Sequence, residues 1–261
     1  MVAIKVIKES TFQSPITAQS IDTEISALKN LSHQYLCNLR ETIQCDHHVF
    51  IIMEHCPGDT LANLLLSDRG GLPEHKAREI LRQMLEGVAY IHSQGYAHRD
   101  LKPQNIMFTE NQDVKIIDLG LSVKVNSIQS SERRHNNVGT PLYQAPELFN
   151  GTVLNAQTVD IWAIGVLLHI MLCDRLPFRF KVPRNAANIA EFESSVKTGQ
   201  YKNPDNISQQ ASEVLRSMLT VDPQSRPTAE QLLAHTYFSR QSRRKQGGKH
   251  PRRQQQNQRE W

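Results

Sequence analysis

Apolar positions recur along this chain in two rhythms. Val2 to Ile7 is a β-branched run that predicts a strand, and Val49 to Met53 predicts a second, short apolar strand. Between them Ile21, Ile25, Leu28 and Leu31 share one helical face and predict a helix over 21–31. A longer helical rhythm begins at Pro73, whose fixed φ suits a first turn, and sets Ala77, Ile80, Leu81, Met84, Leu85, Val88 and Ile91 at core spacing up to Gly95. That helix delivers the chain to His98. Residues 106–108 and 114–117 predict two short strands around the turn Glu110-Asn111-Gln112-Asp113, a hairpin signal. Residues 121–141 are polar and aperiodic and predict a mobile loop. Three more helices are predicted: over 157–172, apolar nearly all round, over 208–219, and over 228–234, capped by Thr228.

Length and composition narrow the picture. With 261 residues and 39% hydrophobic content, the chain supports one large domain or two lobes around separate cores. Cys37, Cys45, Cys56 and Cys173 show neither a close pair in sequence nor a zinc-ligand spacing, which indicates neither a disulfide framework nor a structural metal and points to a reducing, intracellular compartment. Met1 runs straight into the first strand, so no secretory leader is expected. The longest apolar stretch, Ile161 to Cys173, is too short to span a bilayer and contains His169, so a buried helix is expected there.

The formal charge of +4 is unevenly spread. Residues 239–261 hold eight Lys/Arg against Glu260 alone, a net +7 that leaves −3 for the rest. This low-complexity tail is expected to be disordered. Its charge allows contact with nucleic acid or anionic lipid, but Trp261 is its only aromatic, so a solvated extension or a nuclear-import signal explains it at least as well.

Candidate chemistry concentrates in His98-Arg99-Asp100-Leu101-Lys102-Pro103-Gln104-Asn105, followed by Asp118-Leu119-Gly120. Upstream stand Val2-Ala3-Ile4-Lys5 and Glu24; downstream stand Gly139-Thr140-Pro141-Leu142-Tyr143-Gln144-Ala145-Pro146-Glu147 and Asp160-Ile161-Trp162-Ala163-Ile164-Gly165. In order and spacing these motifs resemble a eukaryotic protein kinase catalytic domain of the serine/threonine type, over residues 2–238. Leu176-Pro177-Phe178, Asp222-Pro223 with Arg226, and His235-Thr236-Tyr237-Phe238 are similar to its calcium/calmodulin-dependent and AMP-activated branch.

The resemblance implies an α+β fold of two lobes: a truncated N-terminal lobe over 1–54 and a mainly helical C-terminal lobe over 55–238, ahead of the basic tail at 239–261. It implies transfer of the ATP γ-phosphoryl group to a protein Ser/Thr hydroxyl, with Mg²⁺ as cofactor and with ATP and a protein substrate as partners. Asp100 is implied to accept or orient the substrate hydroxyl's proton, and Lys102 to neutralise the γ-phosphate. Thr140, beside Lys102, matches the serine/threonine class. Asn105 and Asp118 are implied Mg²⁺ ligands. Lys5 is implied to hold the α- and β-phosphates while Glu24 fixes its ammonium. Met53 is implied to back the adenine pocket, Ala3 and Met107 to face the purine, and the backbones of Glu54 and Cys56 to bond its edge, with Asp59 considered for the ribose. His98 is implied to pack beneath the metal-binding loop, Leu119 to fill an apolar slot between His98 and Leu28, Glu147 to pair with Arg226, and Asp160 to hold the catalytic loop's backbone. Arg99 in such proteins often reads an activation-loop phosphate; Asn136 and Asn137 stand where many relatives carry the acceptor, which leaves Ser130 and Ser131 as candidates beside a plain polar loop.

One part of the family pattern has no counterpart. Only Met1 to Ile4 precede Lys5, so the Gly-rich loop that covers the phosphates has no counterpart in the sequence. Two expectations follow: a chain that starts at an internal methionine of a longer kinase, or a shortened, pseudokinase-like scaffold that binds partners or nucleotide without efficient turnover.

Overall fold

Strand β1 (Val2–Lys8) alternates outward and inward along its length, with Val2, Ile4 and Val6 exposed while Ala3, Lys5 and Ile7 are half-covered. The computed structural model describes residues 1–8, 15–45, 47–125, 139–151, 155–181 and 185–239. After β1 comes helix α1 (Pro15–Asn30), which begins before the apolar face at Ile21 that announced it. Strands β2 (Leu39–Cys45) and β3 (His48–Glu54) complete an antiparallel sheet in the order β1-β3-β2, in which Lys5 pairs with Ile51 and Ala3 with Met53. This sheet and α1 form the small lobe. β2 was not expected from the sequence: its residues are mostly exposed, so no buried alternation marks it.

The chain leaves the sheet after Glu54 and enters the helical lobe through α2 (Leu61–Ser67), where the Thr60 side chain caps the first turn by accepting from Asn63 N–H. Helix α3 (Glu74–Ser93) follows the predicted rhythm and packs on α5 and α8, introduced below. Strand β4 (Tyr96–Ala97) leads into residues 98–105, where Pro103–Asn105 makes one 3-10 turn. The hairpin β5 (Ile106–Phe108) and β6 (Val114–Ile116) forms as predicted, and β7 (Val123–Lys124) pairs back to β4.

Short α4 (Pro146–Phe149) precedes α5 (Ala156–Cys173). The latter begins ahead of the apolar run that opens at Ile161 and ends with it at Cys173, and by length and composition it is apolar enough to cross a membrane. Most of it is buried inside the large lobe, with Trp162 fully buried and stacked on Phe178 at 5.5 Å, so it is the lobe's central core helix. Around it lie α6 (Ala186–Thr198), α7 (Gln209–Met218) and α8 (Ala229–Leu233), the last closed by a capping box between Thr228 and Gln231. The sequence did not announce α2, α4 or α6. The first two are short, and α6 buries only Phe192 and Val196.

Gly87 is a packing glycine, since a Cβ there would meet Ile116 Cδ1 at 2.9 Å, and Gly95 makes its turn at φ +76°.

Candidate active site

Between the lobes lies a cleft of about 470 Å³ whose walls come from both. Ala3, Leu28, Met53, Met107 and Ile116 supply apolar surface, and Lys5, Glu24, Asn105 and Asp118 supply charge and polarity at one end. The β1–β3 register explains the small lobe's share: period-2 alternation turns Ala3 and Lys5 to the same side of β1. Residues 58–59 are tied to β5, Gly58 N–H donating to Phe108 O and Phe108 N–H to Asp59 O, both at 3.0 Å, which brings Met107 under the connecting segment.

Lys5 Nζ lies 2.6 Å from Glu24 Oε1 and 3.5 Å from Asp118 Oδ1. Burial works to lower the Lys5 pKa, but Glu24 and then Asp118 outweigh it and hold it above its usual 10.5, so the ammonium is charged across the working range. Glu24 is buried on α1 while Lys5 and Asp118 stay partly open to the cleft.

The catalytic segment is held from behind. Asp160, fully buried on α5, accepts from Arg99 N–H at 2.7 Å and His98 N–H at 2.8 Å, and its Oδ2 lies 2.9 Å from His92 Nε2. Burial works to raise its pKa, yet His92, His98 and the Arg99 backbone bond together keep it below its usual value. Arg99 there adopts φ +67°, a left-handed conformation costly for a non-glycine residue, and the paired backbone bonds to Asp160 retain it. Gly139 answers that shape: a Cβ would come within 2.6 Å of Arg99 O, and its φ of +95° suits glycine. The segment that follows it therefore lies directly against Asp100.

Asp100 gathers four donors. Oδ2 takes Lys102 Nζ at 2.6 Å and Asn105 Nδ2 at 3.2 Å; Oδ1 takes Thr140 Oγ1 at 2.9 Å and Thr140 N–H at 3.0 Å. Lys102 Nζ also reaches Thr140 Oγ1 at 3.3 Å. Asn105 Nδ2 donates to Asp100 O at 2.9 Å too, so its Oδ1 is the atom left to serve a cation. His98, buried, accepts from Asp100 N–H through Nδ1 and donates through Nε2 to Ile117 O at 3.1 Å, a scaffold role. Leu119 is buried in the same core as Leu28.

Of the residues singled out from sequence, Lys5, Glu24, Ala3, Met53, Glu54, Cys56, Met107, Asn105 and Asp118 all line the cleft, and Asp100, Lys102 and Thr140 form a bonded cluster joined to it through Asn105. Glu147 and Arg226 pair in two parallel bonds at 2.8 and 3.1 Å. Asp59 lies outside the cleft lining and uses Oδ1 to accept from Thr60 N–H at 2.8 Å. Ser130, Ser131, Asn136 and Asn137, and the tail beyond Ser239, lie outside the described residues.

Two contributors escaped the sequence reading. Lys115, in the middle of β6, is buried and sets Nζ 2.8 Å from Glu54 Oε1. Burial pushes the Glu54 carboxyl up, but Lys115 and the Asn38 N–H prevail and hold it low, pinning the segment that leaves the sheet. A lysine inside an apolar strand is the signal that was available, because buried lysines are almost always paired. The other is Cys37, which lines the cleft and donates Sγ–H to Glu54 O at 3.3 Å; no local pattern marks it.

The cleft pairs apolar walls with the Lys5 cation, a chemistry and a volume that fit a small apolar-faced anionic ligand. Asn105 and Asp118 form too small a donor set to cage a metal alone, and no cluster of three or more His, Cys, Asp or Glu occurs among the described residues. That suits Mg²⁺, which takes one or two side-chain oxygens and fills its shell with phosphate and water.

Residues 1–238 match the family model described as the protein kinase domain. Curated relatives include the maternal embryonic leucine zipper kinase of Xenopus tropicalis, 37% identical over 237 residues that cover 91% of this chain and 35% of the relative. The protein of the same name from Danio rerio is 36% identical over 239 residues, covering 92% and 34%. The serine/threonine protein kinase OSK3 of Oryza sativa subsp. indica is 32% identical over 237 residues, covering 91% and 45%. The chain thus spans less than half the length of these relatives.

Proposed function

Because the chain belongs to the protein kinase family, we propose that it transfers the γ-phosphoryl group of ATP to serine or threonine hydroxyls of proteins. Members of this family generally use ATP and Mg²⁺. The observation that carries the reading is the Asp100 carboxylate, bonded at once to the Lys102 ammonium and to an alcohol, Thr140 Oγ1, beside a cleft ending in Lys5, Glu24, Asn105 and Asp118.

Lys5, steadied by Glu24, would hold the α- and β-phosphates, with the purine between Ala3 and Met107, Met53 at the back, and the backbones of Glu54 and Cys56 at its edge. Mg²⁺ held by Asp118 and Asn105 Oδ1 supplies neutralisation of phosphate charge when bound. Asp100 orients the incoming alcohol and takes up its proton as the bond to phosphorus forms. Lys102 sits 2.6 Å from that carboxylate and offsets charge on the transferring group. Thr140 belongs to the same cluster and supports a Ser/Thr acceptor, since its own hydroxyl rests at hydrogen-bond distance from Asp100. The free thiols of Cys37, Cys45, Cys56 and Cys173 support an intracellular setting.

The test is transfer from Mg·ATP to a generic basic protein by the full chain, read as phosphoserine and phosphothreonine. Asp100→Asn should lower the rate by roughly 10²–10⁴-fold, the range for loss of a general base. Equal rates for the two proteins would defeat the reading and leave a nucleotide-binding scaffold.

A further inference from the structure

Cys37 and Cys56 are far apart in sequence yet meet at the base-binding end of the cleft, and both line it. We propose that these two thiols form an oxidation site, in which Cys56 reacts with a hydroperoxide and Cys37 closes the product to a disulfide.

The backbone brings them together. The β2–β3 pairing ends at Leu39↔Met53, and Glu54 N–H donates to Asn38 O at 2.9 Å, so residues 37–38 run beside residues 54–56. Carried past Leu39↔Met53, that register brings Cys37 opposite residue 55, one position from Cys56, and Cys37 Sγ–H itself donates to Glu54 O at 3.3 Å, two residues before Cys56. On its other side Cys37 N–H donates to Ile116 O at 2.9 Å, which fixes its backbone against β6. Each thiol is the first influence on the other's titration, which raises Cys37 and lowers Cys56.

The surroundings divide the labour. The single Cys37 proton has two acceptors in reach, Glu54 O at 3.3 Å and the Cys56 sulfur. Its hydrogen bond to Cys56 draws the Cys56 thiol below the usual range, against burial, and raises Cys37. The Glu54 carboxylate works to raise both thiols and is offset in part by Lys115, whose Nζ lies 2.8 Å from Glu54 Oε1 and 3.3 Å from Leu36 O. Cys56 is therefore the attacking thiol and Cys37 the resolving one. Buried cysteines often serve only as small apolar fillers. Here both sulfurs border a cleft through which a small oxidant enters. Exposed Cys45 and half-buried Cys173 show no such partner thiol among the described residues.

The chemistry balances. The Cys56 thiolate attacks the terminal peroxide oxygen, the O–O bond breaks, an S–O bond forms, and the departing oxygen is protonated to an alcohol or water. The Cys37 sulfur then attacks the sulfenic sulfur; the S–S bond forms, the S–O bond breaks, and hydroxide leaves with the Cys37 proton as water. Two thiols are oxidised and one hydroperoxide is reduced.

Closure removes the Cys37 bond to the Glu54 carbonyl and ties the segment leaving the sheet to residue 37. Nucleotide should bind less well to the oxidised chain, and bound nucleotide should shield the thiols. Only this consequence rests on the ATP reading; the disulfide itself stands apart from it.

The experiment treats the full chain with hydrogen peroxide, alkylates remaining thiols and maps the peptides by mass. A Cys37–Cys56 cross-link that dithiothreitol reverses is expected, with Cys37→Ser giving no cross-link and a dimedone adduct on Cys56. Mg·ATP should slow cross-linking, and the oxidised chain should bind nucleotide about tenfold or more weakly by direct titration. Oxidation confined to Cys45 or Cys173, with Cys37 and Cys56 still alkylated, overturns the proposal, as does a Cys56 adduct in the unsubstituted chain without cross-link. Should Cys37→Ser fail to fold, the peptide map of the unsubstituted chain decides alone. Cross-linking with no effect of or on nucleotide would overturn the ATP consequence and leave the dithiol site standing.

Discussion

Two ion pairs of similar length, Lys5–Glu24 at 2.6 Å in the small lobe and Arg226–Glu147 at 2.8 Å in the large one, have equally buried glutamate side chains, 7% exposed in each, but cations in opposite surroundings. The Lys5 side chain is 39% exposed and joins two elements across the cleft; the Arg226 side chain is fully buried, lies 5.2 Å from the Trp162 ring centroid and also donates to the carbonyls of Thr158 and Thr220. Length does not distinguish them; solvent and the number of partners do. In Lys5–Glu24 the carboxylate is buried and the ammonium opens to the cleft, so the pair is suited to presenting a fixed positive charge to a ligand. A buried, fully bonded pair is costly to disrupt because one charge is left without partners, so Arg226–Glu147 anchors the architecture on which Asp100 is mounted.

The difference is open to attack, most severely in the large lobe. Arg226→Met should lower unfolding stability by about 3–5 kcal/mol in urea titration, since Glu147 is left buried and unpaired. Replacing both, Glu147→Leu with Arg226→Met, should recover part of that loss; no recovery would show that the pair is not what holds the site.

Acidification comes next. The Asp160 carboxyl is held below its usual 3.8, so the folded chain binds that proton less readily than the unfolded one. Its contribution is fully present above pH 3.8 and is lost as the pH falls through the lower folded-state value. Urea midpoints measured downward from neutral pH should show this component, and Asp160→Asn should lack it.

Lys5→Met is expected to cost less global stability than Arg226→Met, because Glu24, though buried, borders the cleft, while lowering Mg·ATP affinity roughly tenfold or more by calorimetric titration. A large stability loss would place the small-lobe pair in the same class as the buried one. The smallest effect belongs to the outer face of β1: Ile4, at 55% exposure, replaced by Lys should change the unfolding free energy by no more than about 0.5 kcal/mol, read by thermal unfolding.

The elements legible in sequence were those whose burial follows a clean period. α3 shows its core face at every turn, α5 is buried nearly all round, and the hairpin around residues 110–113 is marked by its polar turn. β2 and α6 bury too few residues to leave a period, and both went unseen. At the site, Asp100, Lys102, Asn105 and Asp118 stood out because the chemistry groups them within one short stretch of chain.

Residue types and their order along the chain were thus enough to identify a two-lobed architecture and the groups facing one another across its cleft. Folding alone decided that Lys115 clamps Glu54 and that Cys37 borders the same cleft as Cys56. The physical reason is range: side-chain periodicity reports which face of one element is buried, whereas these contacts join separate elements whose mutual placement is set by packing.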